Sequence, residues 1–327
     1  MANVSTTVAA GVAPASGGDR TRTLHRAIFI GLALMLAVAP FLVYPVFLMK
    51  VLCFALFACA FNLLLGFGGL MSFGHAAYFG MASYVSAHGA KVWGLTPELA
   101  ILAGTAVAMV LGAVFGALAV RRKGIYFAMV TLALAQMVYF LSVQAPFTGG
   151  EDGIQAVPRG RLLGLISFAD DRVLYYFVMA VFMGGLLLIY RVIHSPFGQV
   201  CKAIRENEPR AISLGYRPLH YKLAMFVLSA GLAGLAGATK AIVFQLASLT
   251  DVHWSMSGEP VLMTLIGGIG TVFGPIAGAL VVVSMQNYLA HLGAWVTVVQ
   301  GGIFILAVLI FREGIVGFIA GRLKQQL

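Results

Sequence analysis

The segment RVIHSPFGQVCKAIRENEPRAISLGYRPLHYK, residues 191–222, lies between two long apolar runs and decides how the rest of the chain is interpreted. Its charged residues are Arg191, Lys202, Arg205, Glu206, Glu208, Arg210, Arg217 and Lys222. The core of a bilayer does not accept charge at that density, so the segment must lie in water. Because Lys and Arg outnumber Asp and Glu, it is predicted to lie on the cytoplasmic side of a membrane.

The same segment contains the start and stop signals of two short helices. Ser195 before Pro196 is typical of a helix start, with a capping hydroxyl and a proline at the first helical position. Asn207 repeats that signal, and Gly215 supplies a stop because glycine accepts the left-handed conformation. An ordered pair of helices favours a docking surface for a cytoplasmic partner over a simple soluble connector.

The composition is that of an integral membrane protein. Hydrophobic residues make up 61% of the chain and charged residues 10%, against about 25% charged residues in soluble domains. The net charge of +10 comes from basic clusters beside apolar runs, which is the positive-inside pattern rather than a nucleic-acid footprint. Cys53 and Cys59 lie in a predicted span and Cys201 in the cytoplasmic segment, so free thiols are expected.

Apolar runs predict an all-α membrane protein, a polytopic bundle of about ten transmembrane helices. Residues 1–26 are expected to form a disordered cytoplasmic tail, 27–311 the transmembrane domain with its cytoplasmic segment 194–221, and 312–327 a cytoplasmic tail. Basic residues beside the first and last spans place both termini in the cytoplasm. The predicted spans are 27–49, 51–65, 72–87, 99–120, 124–143, 173–193, 223–247, 260–271, 275–290 and 294–311.

Two glycine-rich segments interrupt these spans. The first is GFGGLMSFGHAAYFG at residues 66–80, and GGIGTVFGPIAGA at residues 267–279 hints at a second broken helix. Non-helical backbone at membrane depth survives only against protein or a water-filled cavity, so the first segment is expected inside the bundle near a transport path. His75 is its one ionisable residue, and a neutral histidine bonded to a neighbouring helix is favoured over a functional one.

The sequence contains no motif for catalysis, nucleotide binding or metal binding. No lysine follows a glycine, which excludes a P-loop, and neither HExxH nor Cys-x-x-Cys occurs. The confident spans hold no Asp or Glu for a proton relay. We therefore expect neither an enzyme nor a self-sufficient pump.

Five stretches together resemble the permease subunits of bacterial branched-chain amino acid ABC importers, specifically the subunit of the pair with the longer N-terminus. They are NLLLGFGGLMSFGHAAYFG at 62–80, TGGEDGIQAVPRG at 148–160, SPFGQVCKAIRENEPRAISLGY at 195–216, KLAMFVLSAGLAGLAGA at 222–238 and GGIGTVFGPIAGA at 267–279. The resemblance implies a type II importer fold, multi-pass in the bacterial cytoplasmic (inner) membrane. It also implies a homologous second permease subunit, two cytoplasmic ATP-binding subunits that bind ATP-Mg, and a periplasmic substrate-binding protein, with no cofactor on this chain.

The resemblance further implies that segment 194–221 couples transport to the ATPase subunits. The family's coupling motif has Glu-Ala-Ala and then a glycine four residues after the second alanine. Ala211 and Gly215 keep that spacing, but proline and arginine occupy the first two places. A nearby glutamate is expected to replace the missing one. The coupling candidates are Glu206, Glu208, Arg210, Ala211 and Gly215.

The implied substrate is leucine, isoleucine or valine, and urea or short-chain amides are alternatives. A stand-alone secondary transporter and a structural membrane scaffold are less favoured. Lys240 stands where such permeases commonly have an aromatic residue; snorkelling to the interface is its favoured role. The spans offer a zwitterion few charged partners, so a largely apolar path of weak affinity is expected. The path candidates are Asn62, Gly69, Ser72, His75, Tyr78, Gln136, Gly268 and Gly270.

Overall fold

The computed structural model describes residues 17–162, 164, 166–289, 293, 295–310 and 314–317, which form a helical bundle. The helices of the first half are α1 (Gly17–Leu42), α2 (Pro45–Asn62), α3 (His75–Lys91), α4 (Pro97–Ala119), α5 (Ile125–Gln144) and α6 (Asp171–Ile193). Those of the second half are α7 (Pro196–Glu206), α8 (Glu208–Ser213), α9 (Pro218–Phe244), α10 (Trp254–Gly267), α11 (Gly274–Tyr288) and α12 (Trp295–Ile310). A short π-helix, Leu63–Phe67, extends α2.

Short strands order the connection between α5 and α6. These strands are β1 (Ile154–Gln155), β2 (Arg161–Leu162), β3 (Ile166–Ser167) and β4 (Leu246–Ala247). Strand β1 pairs antiparallel with β4, and β2 with β3. Arg159 adds an ion pair to Asp171 (2.6 Å) and a hydrogen bond to the Val243 carbonyl (3.2 Å). The connection is therefore fastened to the end of α9.

Helix α2 is the centre of the bundle. Each of its residues from Val51 to Asn62 is buried, and it packs against α6, α9, α10 and α11. A helix that is apolar around its whole circumference has no face for water. The run LCFALFACAF at residues 52–61 therefore favours a position surrounded by other helices.

Small residues bring α9 close to α3 and α4. The recurrence of Ala230, Gly234 and Ala238 predicts such a packing stripe, and the structure confirms it. A Cβ at Gly112 would lie 2.5 Å from the Cβ of Ala230, and one at Gly234 would run into Ala108. The helix backbones touch at these positions because no side chain separates them.

Five helices are long and apolar enough to cross a membrane by length and composition. They are α2 with its π-helical extension, α4, α5, α6 and α9. Helices α3, α10, α11 and α12 pack with them into the same bundle. The predicted class, a polytopic helical membrane protein, is confirmed, and the count of about ten crossings stays a prediction.

The first two helices do not begin and end as predicted. The predicted spans 27–49 and 51–65 meet at Lys50, but α1 ends at Leu42 and α2 begins at Pro45. Proline fits the first helical position and sets this start, so Lys50 lies inside a helix. Helix α1 begins at Gly17, inside the predicted tail 1–26. Residues 1–16 lie outside the described residues, as does most of the predicted tail 312–327.

Helix α10 begins earlier than predicted. The predicted span 260–271 starts at a proline, but the helix runs from Trp254 to Gly267 and contains Pro260. His253 caps this start, since its side chain accepts a hydrogen bond from the Ser255 amide. Glu259 therefore lies inside a helix of the bundle. It directly precedes the predicted span 260–271, and the other predicted spans contain no Asp or Glu.

Candidate functional site

Helices α7 and α8 fill the predicted cytoplasmic segment and begin where the capping signals predict. The Ser195 hydroxyl accepts a hydrogen bond from the Gly198 amide (3.3 Å), and the Asn207 side-chain oxygen accepts one from the Arg210 amide (3.1 Å). Gly215 follows α8 with a φ of +87°, the left-handed conformation. The segment is thus an ordered unit, as its interpretation as a docking surface requires.

Arg205 of α7 binds the first glycine-broken segment. Its Nη1 donates a hydrogen bond to the carbonyl oxygen of Gly66. That carbonyl lies at the end of the π-helix, where intrahelical donors run out and the helix dipole favours a cation. Lys202 of the same helix lies 5.4 Å from the centroid of the Phe67 ring. Two cationic side chains therefore join α7 to the end of the central helix.

Gly69 permits this contact in two ways. Its φ of +68° lies in the left-handed region, which ends the helix at little cost only for glycine. A Cβ at this position would also lie 2.5 Å from Cγ of Arg205. Any larger residue at position 69 would strain the backbone and displace the arginine.

Other helices satisfy the backbone of the first break. The Phe73 amide donates to Thr131 Oγ1 of α5 (3.1 Å), and the Ala76 amide donates to Ser257 Oγ of α10 (3.0 Å). The Ser72 hydroxyl accepts a hydrogen bond from the amide two residues on, and the N-cap of α3 is the glycine at position 74. Side chains of neighbouring helices thus satisfy backbone groups of this non-helical segment.

Asn62 joins the first broken helix to the second. Its side-chain nitrogen donates to the Thr271 carbonyl (2.7 Å), and its side-chain oxygen accepts from the Gly270 amide (2.9 Å). A Cβ at Gly66 would lie 2.6 Å from the Gly270 nitrogen, so glycine at position 66 keeps the two segments in contact. The predicted second broken helix is confirmed as the break between α10 and α11.

His75 is 1% exposed and fastens the start of α3 to two other helices. Its Nε2 lies 2.9 Å from Ser229 Oγ of α9, and that hydroxyl donates to the Ala60 carbonyl of α2 (2.6 Å). A serine hydroxyl has one proton, so the serine accepts from Nε2–H, which fixes the tautomer of His75. This is the arrangement expected of a neutral histidine that holds the break in place.

The remaining path candidates lie in different surroundings. Tyr78 is buried beside His75, with ring centroids 5.9 Å apart, and Gly268 is buried at the second break. Gln136 is half-buried on α5, and in the described part of the chain no hydrogen bond joins it to either break. A role in the path stays a prediction for all of these residues. The structure groups around the two breaks Asn62, Gly69, Ser72, His75, Tyr78, Gly268 and Gly270.

Glu208, at the start of α8, joins three parts of the chain. Its carboxylate forms ion pairs with Lys123 (2.6 Å), between α4 and α5, and with Lys222 (3.0 Å) of α9. Burial acts to raise the pKa of Glu208, but hydrogen bonds and charges from the two lysines outweigh it and hold that pKa below its usual value. Helix α8 is thereby fixed to the bundle.

We expect Glu208→Gln to lower the stability of the solubilised protein by about 1 kcal/mol, the order of a partly exposed ion-pair contribution. The pKa of Glu208 is lowered, so its contribution is present above the ordinary value of 4.5 and is lost as the pH falls through the lowered pKa. Thermal unfolding at neutral pH and at about pH 3 measures this difference, which should shrink in acid. Glu206→Gln, at an exposed carboxylate of α7, is the matched control. Equal unfolding temperatures for the two variants at neutral pH would contradict the expectation.

The other coupling candidates differ in exposure. Glu206 and Arg210 are exposed, whereas Ala211 is 3% exposed and packs inward. Ile212 and Leu214 lie beside it and are 55% and 69% exposed. The end of α8 therefore presents apolar side chains and charges together, which is typical of a surface that binds another protein.

Arg205 is not among the coupling candidates predicted from the sequence. A signal was present, since Lys202 and Arg205 lie three positions apart and share one face of a short helix. The predicted snorkelling of Lys240 is wrong. Its Nζ lies 2.7 Å from both carboxylate oxygens of Asp251, and the two side chains are 11% and 4% exposed. It forms a closed ion pair and does not snorkel.

Comparisons with known proteins place the chain among permeases. The sequence profile of a family described as "Branched-chain amino acid transport system / permease component" matches residues 44–308. The high-affinity branched-chain amino acid transport system permease protein LivM of Escherichia coli strain K12 is 26% identical over 260 residues, 72% of this chain and 60% of that protein. The ribose import permease protein RbsC of Bacillus subtilis strain 168 is 28% identical over 241 residues, 69% of this chain and 71% of that protein.

The chain spans 60% of the length of the Escherichia coli relative, and no solved structure matches it. Within the described residues, no group of His, Cys, Asp and Glu is arranged to hold a metal ion. The names of the family and of the relatives describe permease components of transport systems. Because the profile covers most of the chain and the bundle contains several membrane-spanning helices, this multi-pass membrane protein belongs to the permease component family of branched-chain amino acid transport systems.

Proposed function

We propose that the chain is a transmembrane subunit of an ABC importer that carries leucine, isoleucine and valine into the cytoplasm, driven by separate ATPase subunits. The family match and the ordered α7–α8 unit support the transporter class. The names of the relatives from Escherichia coli and Methanocaldococcus jannaschii support the substrate. Permeases for ribose and autoinducer 2 are also similar, so the substrate is the part that an experiment must decide.

The observation that carries the proposal is the connection from α7 to both breaks. Arg205 holds the Gly66 carbonyl, and Asn62, about one turn earlier, holds the Gly270 amide. A displacement of α7 from the cytoplasmic side would therefore reach two non-helical segments inside the bundle. Their backbone can change conformation without the loss of a regular helix, which suits a segment that opens and closes a path.

The assembly that follows from this proposal contains partners for each step. A periplasmic binding protein delivers the substrate, a homologous second permease completes the path, and two cytoplasmic subunits bind ATP-Mg and contact α7 and α8. The basic run Arg121, Arg122 and Lys123 lies on the same side as Glu208, which supports a cytoplasmic position for this end of the bundle. In this proposed orientation the protein spans the bacterial inner membrane, and both ends of the chain lie in the cytoplasm.

The test is uptake by the complex that purifies with the tagged chain, reconstituted in liposomes with its binding protein. We expect ATP-dependent uptake of labelled leucine, with isoleucine and valine as competitors and with urea and ribose inactive. Liposomes without ATP are the matched control. Uptake of urea or ribose in place of leucine would overturn the proposed substrate. Leucine uptake that needs only an ion gradient would overturn the transporter class.

A further inference from the structure

A set of charged residues lies at the end of the bundle opposite α7 and α8. The C-terminal end of α2 meets α7 through Gly66, so Lys50, near the start of α2, lies toward the far end. Helix α9 begins just after α8 and runs to the opposite end of the bundle. It ends near Asp251, which forms an ion pair with Lys240. Lys50 lies within electrostatic range of Lys240 and of Glu259. These residues therefore share the outer end of the bundle.

Lys50 is half-buried in α2 and has no direct partner among the described residues. It forms no hydrogen bond or ion pair with any residue that the structure describes. Its electrostatic neighbours are the carboxylate of Glu259 and a second cation, Lys240. An ammonium group that is withdrawn from water without a partner is costly, and the nearby cation adds to that cost. Lys50 therefore offers an unused positive charge to an anionic group that binds beside it.

Glu259 offers the opposite charge from α10. Its Oε2 accepts a hydrogen bond from Gln286 Nε2 of α11 (2.9 Å), and Gln300 of α12 lies close to the same carboxylate. These amides are neutral, so they orient the carboxylate without cancelling its charge. Within the described residues, Glu259 forms no direct ion pair. Residues of α2, α10, α11 and α12 thus place the opposite charges of Lys50 and Glu259 near each other, without a direct ion pair between them.

The neighbouring pair of Lys240 and Asp251 shows a different arrangement. Its atoms are in direct contact on both carboxylate oxygens, and the Asp251 carboxylate also accepts from the Ser248 amide (3.3 Å). Both side chains are almost fully withdrawn from solvent. The two charges of that pair neutralise each other, as they do in a structural ion pair. Lys50 and Glu259 are both half-buried and form no such direct pair among the described residues.

We propose that Lys50 and Glu259 bind the charged head of a zwitterionic amino acid in the outer half of the path. Lys50 takes the α-carboxylate and Glu259 takes the α-ammonium. The inference rests on the proposed function and names the groups that recognise its substrate. Two separated charges of net zero match a substrate of the same pattern, so each charge gains a partner and the bundle gains no net charge. Sugars and urea carry no charge to match, so the site discriminates against them.

The test is the double substitution Lys50→Gln with Glu259→Gln in the complete reconstituted importer. If the two residues only stabilise the fold, removing both charges leaves no unpaired charge and costs little. If they bind the zwitterion, leucine uptake at low leucine concentration falls by about tenfold or more. The complex should still assemble. Wild-type leucine uptake by the double variant would overturn the inference and leave the proposed function standing.

The matched control is Lys240→Gln with Asp251→Asn, which removes the closed pair at the same end of the bundle. Leucine uptake per assembled complex should be retained in this variant. A second measurement does not need transport: Lys50→Cys, in a chain whose native cysteines are replaced, is treated with an anionic thiol reagent. Leucine should slow the modification and ribose should not; equal rates with both would overturn the inference. Absence of leucine uptake by the unaltered complex would instead overturn the proposed function, and the inference with it.

Discussion

Replacement of Arg205 by alanine is expected to reduce leucine uptake and substrate-stimulated ATP hydrolysis by about tenfold or more. The variant loses the hydrogen bond from α7 to the Gly66 carbonyl at the end of the central helix. Hydrogen bonds to charged groups contribute about 1.5–3 kcal/mol, and 1.4 kcal/mol is roughly a factor of ten in an equilibrium constant. The measurement is ATPase activity and uptake of the reconstituted complex, with and without loaded binding protein.

Two further variants make this experiment specific. Arg217→Ala removes an exposed arginine from the same connecting segment and should leave stimulation intact. Arg205→Lys keeps the charge but loses the planar guanidinium, so we expect only partial recovery. Basal ATPase activity should survive in Arg205→Ala, because the alteration lies in the transmission of movement. Full stimulation in that variant would show that α7 acts on the breaks by another route.

Replacement of Gly237 by valine is expected to prevent most of the protein molecules from folding. A Cβ at this position would run into the carbonyl oxygen of Phe79, where α9 crosses α3, and would lie 2.7 Å from the carbonyl carbon. Backbone atoms cannot rotate away as a side chain does, so the two helices must separate. Overpacking costs about 1–3 kcal/mol for extra methylenes that the core can partly accommodate, and this contact leaves no such room.

Gly184→Val is the matched control, since a Cβ at Gly184 of α6 meets nothing within 4 Å. Both variants place valine in a helix, so differences in helix propensity cancel between them. Yield of monodisperse protein after detergent extraction, followed by thermal unfolding, measures the effect. Comparable yield and unfolding temperature for the two variants would mean that α3 and α9 do not pack as described.

Features that depend on neighbours in sequence could be predicted from the sequence. The caps at Ser195 and Asn207 and the stop at Gly215 are local, and the structure confirms all three. The packing stripe of α9 could be predicted because helical periodicity places Ala230, Gly234 and Ala238 on one face. The central burial of α2 follows from its uniform hydrophobicity.

Features that depend on distant partners could not be predicted. Arg205 and Gly66 are 139 positions apart, and no local sequence pattern connects the two residues. The sequence predicts Lys50 between two spans because apolar runs flank it, whereas α2 begins at Pro45 and contains it. The sequence predicts a helix start at Pro260, which leaves Glu259 outside the span, whereas α10 begins at Trp254 and contains both residues. Proline within a helix gives the same local signal as proline at its start.

The bond between Asn62 and Gly270 has a consequence for biosynthesis. The glycine follows its partner by 208 residues, which is on the order of 10–40 s of translation at roughly 5–20 residues per second. During that interval the amide of Asn62 lies in a newly inserted helix without its acceptor or donor, an unfavourable state in lipid. Asn62 therefore lacks both of its hydrogen-bond partners until translation has passed residue 271. The hydrogen bonds of Asn62, in the first third of the chain, form only after the last third has been translated as far as its partners.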